Sequence, residues 1–221
     1  MTAKIIYDIP FRKALSAYVE APFDEGKAIL EADGYDIISA AKNAELRVNH
    51  GLISEVSQLG NWTSEAWLYV PGRDKVIFSK SSSPIIKNPV EATEAHRNAQ
   101  EFYPTKEQID IMLCAQLSIE IPYNQKPIPT NRFGENELTV FAFGNGYSKK
   151  AQAYGDFLGY SKNRKMFVSL PSKSLVDFIA KPFVRQNWIC NSRFDCNCLN
   201  GRDVNLQTQS RVRGYLRRGE Q

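Results

Sequence analysis

Cys190, Cys196 and Cys198 fall within nine residues, inside the stretch WICNSRFDCNCLNGRDVN that runs from 188 to 205. Thiols this close could ligate a metal, form a bridge or supply a nucleophile. A structural zinc site needs four ligands, with cysteine pairs two to four residues apart. Here the intervals are five residues and one, with no histidine nearby, so no metal is expected. Two of the three could bridge, which would leave one over. A nucleophilic thiolate needs a base beside it, yet the only histidines, His50 and His96, lie more than 90 residues from Cys190. Cys114 follows a helical pattern, where a small buried thiol is the usual outcome. The spacing leaves open that these positions simply happen to hold cysteine.

Other chemistry is missing from the chain. It has no Gly-x4-Gly-Lys-Ser/Thr loop, no Gly-x-Ser-x-Gly elbow and no His-Glu-x-x-His pair. The glycine-rich FGNGYSKKAQAYG lacks the strand–turn–helix context of a phosphate loop. No catalytic residue and no cofactor are therefore expected. Charge is unevenly placed: from residue 181 onward eight basic residues face three acidic ones, against a net +4 for the whole chain. An arginine-rich end can bind nucleic acid, or its arginines can pair with carboxylates and backbone carbonyls.

These residues must be positioned by ordinary elements. With 221 residues, 43% hydrophobic, the chain is long enough for one full-sized core, and a single domain spanning 1–221 is expected. Asp24 reads as the N-cap of a helix to Ala32, and YDIISAAKNAELRV as a second helix. SEAWLYVPGRDKVIFSK is a hairpin signal around Pro71-Gly72. PVEATEAHRNAQEF reads as a helix entered by proline, and Thr105 with Gln108 as a capping box for the next. Residues 121–136 read as loop, 137–145 and 165–172 as strands, and 146–163 as loop. SLVDFIAKPF reads as a short helix, and 209–216 as a strand with Arg211 and Arg213 on one face and Val212 on the other. Helices early and strands around them point to an α+β fold. No apolar run approaches 18 residues, so no membrane span is expected. The first 26 residues lack the apolar core of a signal peptide, so display at a cell surface would need another route.

The stretch ICNSRFDCNCLNGRDVNL, 189–206, has a peculiar composition. Every residue belongs to the fifteen types encoded by codons that end in C and are free at the first two bases. The five missing types supply 45 of the 221 residues, so eighteen positions would ordinarily hold about three or four of them. With its flanks, FVRQNWI before and SRVRGYL after, this run resembles the variable region of a diversity-generating retroelement variable protein of the archaeal type. In that family a reverse transcriptase copies a template with errors at adenines, which turns asparagine codons into a mixture of those fifteen types. The resemblance rests on about the last 40 residues. Gln207 and Gln209 cannot arise that way, and they read as fixed positions.

The resemblance implies a C-type-lectin-like fold, helices packed on a twisted antiparallel β-sheet with long ordered loops, and a variable ligand-binding region over about 187–206. It implies that Cys190, Asn191, Ser192, Phe194, Asp195, Cys196, Asn197, Cys198, Asn200, Asp203 and Asn205 are exposed and contact the ligand. The cysteines then have no joint purpose, and Cys190→Ser, Asn197→Tyr and Asn200→Asp together should cost less than about 2 kcal/mol. Trp188, Leu199, Gly201, Arg202, Leu206, Arg211 and Arg213 form the scaffold, with Val204 assignable to either class. The function implied is receptor-like and non-enzymatic, with a protein or cell-surface ligand as partner. A cysteine-dependent enzyme and a nucleic-acid binder using the arginine-rich end are the alternatives.

Overall fold

The computed structural model describes residues 3–8, 15–80, 83–114, 116–160, 164–190, 197–202, 205–208 and 210–217. In chain order the strands are β1 (Ile5–Tyr7), β2 (Ser16–Ala21), β3 (Tyr35–Ile37), β4 (Asn61–Tyr69), β5 (Lys75–Ser79), β6 (Ser118–Pro122), β7 (Ile128–Pro129), β8 (Lys165–Ser169), β9 (Phe183–Ile189), β10 (Cys198–Asn200) and β11 (Ser210–Leu216). The helices are α1 (Phe23–Ala32), α2 (Ala40–His50), α3 (Glu55–Gln58), α4 (Pro84–Lys87), α5 (Pro89–Arg97), α6 (Lys106–Met112), α7 (Glu137–Ala142), α8 (Ser148–Gly159) and α9 (Lys173–Ile179).

The strands join in the order β1-β2-β11-β4-β9-β10-β8-β7, with β3 on β11 and β5 bridging β4 to β6. The sheet is mixed rather than purely antiparallel, because β11 runs parallel to β4 and β10 parallel to β8. Both faces are covered. Along β4 the side chains alternate, Trp67 and Tyr69 entering one core and Ala66 and Leu68 the other, as the two-residue period of a strand demands. The first core adds Ala44 from α2, Leu138 from α7, Leu158 from α8 and Val176 from α9. The second adds Phe23 and Leu30 from α1, Ile85 from α4, Ala92 from α5 and Met112 from α6. A strand buried on both faces anchors the whole; truncating Trp67 or Trp62 would cost about 3–5 kcal/mol.

The helix at 89–97, the capping box of Thr105 and Gln108, the hairpin, the helix within 174–183 and the final strand all form as expected. Several elements differ. α1 starts at Phe23 after Pro22, so Asp24 lies in its first turn instead of capping it. Tyr35–Ile37 is a strand, and α2 begins only at Ala40, where the Ser39 hydroxyl accepts from the Lys42 N–H at 3.2 Å. Residues 137–142 form a helix instead of a strand: the Asn136 side chain accepts from the Thr139 N–H at 3.2 Å and starts the turn. Residues 148–159 form a helix instead of a loop. Ala151, Tyr154, Gly155 and Leu158 make its buried stripe, and a Cβ on Gly155 would stand 2.9 Å from the Phe133 side chain. That glycine serves close packing. Strands β6 and β7 enter the stretch read as loop. Cys114 lies just past α6 and is exposed, not buried in a helical face.

Candidate ligand-binding surface

β9 ends at Ile189, and the chain returns as β10, with Leu199 opposite Ile189 and Asn200 opposite Trp188. The other edge of β10 lies parallel to β8, Cys198 opposite Phe167 and Asn200 opposite Ser169. The Phe167 N–H donates to the Asn197 carbonyl at 2.8 Å and the Gly201 N–H to the Ser169 carbonyl at 2.9 Å, extending the ladder at both ends. Main-chain bonds on two sides hold this segment, and such bonds are indifferent to side-chain identity. Asn191, Ser192, Phe194, Asp195, Cys196 and Asp203, together with Val204, lie outside the described residues.

A disulfide joins Cys190 to Cys198, with their Cα atoms 5.3 Å apart. The Cys190 N–H also donates to the Cys198 carbonyl at 3.0 Å. This corrects the expectation that the cysteines share no purpose: the two face each other across the β9–β10 pair and close the connection between them. Arg47, almost wholly buried on α2, braces the same point. Its guanidinium donates to the Cys190 carbonyl at 3.0 Å, the Tyr154 hydroxyl at 3.2 Å and the Leu59 carbonyl at 3.3 Å.

The far side of the segment is held by a second arginine. Arg185 on β9 forms a two-pronged ion pair with Glu101, its Nε 3.1 Å from the carboxylate, and donates to the carbonyls of Gly201 and Arg202. The Tyr69 hydroxyl donates to the Gly201 carbonyl at 3.1 Å. Gly201 is required by space, since a Cβ there would meet the Trp67 ring at 2.6 Å. Leu206 is fully buried; its carbonyl accepts from the Phe23 N–H at 2.8 Å, and its N–H donates to His96 Nδ1 at 3.3 Å. Burial pushes the His96 imidazole below its ordinary pKa; Glu101 opposes that shift and Arg185 adds to it.

The residues expected to form the scaffold differ in burial. Trp188 is half-buried edge-on to Trp62, ring centres 5.0 Å apart, over a Gly60 whose Cβ would collide with the indole. Leu199 is fully buried. Arg213 is fully buried, pairing with Asp8 at 2.6 Å, with Asn61 at 3.0 Å and with Glu55. Arg211 pairs with Glu20 at 2.6 Å and with Glu55. Arg202 is exposed.

Exposure of the positions expected to vary is mixed. Cys190, Asn200 and Asn205 are half-buried, whereas Asn197 and Cys198 are only 4% and 6% exposed. The expectation of full exposure fails at those two because the ladder and the bridge turn them inward. The Asn200 side chain accepts from the Arg202 N–H at 2.8 Å and that of Asn205 from the Gln207 N–H at 3.1 Å, so both also shape turns. Replacing Asn197 by tyrosine therefore overfills a buried site, and the triple substitution is no longer expected to be silent. Phe167, 41% exposed, stands on the face of Cys198 and was not anticipated; the alternation of β8 around buried Met166 is the signal that could have found it. Arg47, Glu101 and His96 left no local signal.

No protein-family model matches the chain, and no curated protein does. A solved structure from work on the accommodation of massive sequence variation in Nanoarchaeota by the C-type lectin fold superposes on it with a TM-score of 0.62. The match covers 94% of this chain and 99% of the other at 16% identity. At that identity the likeness speaks for architecture, and the chain has the C-type lectin fold.

Proposed function

We propose that this protein is a non-enzymatic, receptor-like binding module of one domain, whose surface around 187–206 is diversified by a retroelement to meet changing partners. One observation carries the reading: the described residues of the fifteen-type run, 189–190, 197–202 and 205–206, are gripped by other parts of the chain. Main-chain ladders, the Arg47 and Arg185 clamps and the buried Leu206 all act on backbone or on fixed residues. Such a grip lets side chains change while the fold is kept. Asparagine, serine and aromatic side chains supply the adaptable contacts that paratopes use. The partner is a protein or another cell-surface ligand.

The alternatives draw less support. Arg185, Arg211, Arg213 and Arg217 are each engaged with carboxylates, which leaves less free charge for phosphates. Cys190 and Cys198 are bridged, so neither is a free thiolate. Sequencing the gene and its surroundings from many cells of the source population tests the proposal. A nearby copy of the 3′ end, differing opposite adenines, with variants concentrated at codons 189–206, is the expected result. No such copy, with variation spread evenly along the gene, would overturn it.

A further inference from the structure

A cleft of about 590 Å³ opens between α2, the bulged part of β4, the end of β5 and the α7–α8 corner. That size suits a small organic molecule. The bulge, where the β4–β9 register shifts between Trp62 and Ala66, is held by Gln186, which donates to the Glu65 carbonyl at 3.0 Å. Glu65 is thereby turned to the N-terminus of α2, where both its oxygens accept from the Ala40 N–H, at 3.0 and 2.9 Å. The Glu65 carboxylate is thus engaged and 1% exposed.

The accessible charge in the cleft is mostly positive. Lys42 is paired with Glu45 at 3.0 Å. Lys80 and Lys150 have no carboxylate within ion-pair distance among the described residues; Lys80 Nζ lies 4.5 Å from the Phe141 ring and 3.4 Å from the Asn145 side chain. Burial lowers the pKa of Lys80, with Glu65 opposing. Asn145 holds the strained left-handed conformation at φ 49 between two glycines, a conformation that gathers at ligand sites. The apolar part of the wall comes from Ala44, Phe143, Ala153 and Tyr154.

We infer that this cleft binds a small organic anion, its acidic group between Lys80 and Lys150 and its apolar body against Phe143 and Tyr154. A half-buried ammonium with no direct ion-pair partner among the described residues gains most from an anionic ligand, because the surrounding protein screens it less than water would. The site shares no residue with the variable surface and holds whatever that surface draws.

Anilinonaphthalene sulfonate, an anion with an apolar body, is the probe, and neutral N-phenylnaphthylamine is its control. Saturable 1:1 binding by fluorescence is expected, at least about tenfold tighter for the sulfonate than for the neutral analogue. Lys150→Gln, at an exposed position, should weaken it several-fold, Lys80→Gln more, and Lys106→Gln, exposed on α6, not at all. Amide shifts on titration should cluster at 39–49, 64–65, 80 and 143–154. Absence of saturable binding, equal affinity of the two probes, an unaltered Lys150→Gln variant or shifts clustered elsewhere would each overturn the assignment.

Discussion

His96 shows how much can hang on one side chain. Its Nδ1 accepts the Leu206 N–H, which leaves the ring's proton on Nε2 and makes the neutral form the one that fits. With its pKa held below 6.5 mainly by burial, folded His96 declines a proton that the unfolded chain accepts. Its contribution is therefore complete above about pH 6.5 and declines as pH falls below that value. Urea unfolding at pH 7.5 and pH 5.5 should show a loss at the lower pH. The loss should be smaller in His96→Asn, whose side-chain oxygen keeps an acceptor for Leu206. Equal losses in both proteins would remove His96 from the account. His96 carries no mark in the sequence, because its partner stands 110 positions later.

Among the elements, the β9–β10 pair is where the bridge acts. Closing so short a connection lowers the entropy of the unfolded chain, which corresponds to about 2–3 kcal/mol. Cys190→Ser with Cys198→Ser should lose about that much unfolding free energy against the oxidised protein and little against the reduced one. A double variant as stable as the oxidised protein would leave the clamps alone holding the segment. The pattern of types in 189–206 could be read without any fold, since it concerns codons and not contacts. The helices α7 and α8 were harder. Thr139, Val140 and Phe141 favour strands, and three glycines with three tyrosines across 146–163 look like loop, but packing on the sheet decides for helix in both. β9 went unread because its inward residues, Val184, Gln186 and Trp188, alternate with others that are also buried or paired. The arginine clamps depend on residues 84 and 143 positions apart, a separation no local pattern encodes.

In the whole molecule the last strand occupies the middle. β11 lies between β2 and β4, Arg213 opposite Tyr18 and Val212 opposite Trp62, so among the described residues β1 and β2 join the rest of the sheet through it. A chain ending at Thr208 should lose its cooperative unfolding transition, whereas Arg213→Ala in the full chain should keep it and cost about 3–5 kcal/mol, by stranding Asp8 while Glu55 keeps Arg211. Circular dichroism on heating separates the two outcomes; a cooperative melt of the shortened chain would mean that β1 and β2 dock without β11.

Because β11 follows residues 189–206 in the chain yet sits between β2 and β4, the sheet cannot close until that stretch has been built and passed by. If, as proposed, that stretch is redrawn from copy to copy, each draw would be inspected by the molecule itself: a chain that could not slot β11 home between β2 and β4 would leave the sheet split and exposed to proteolysis.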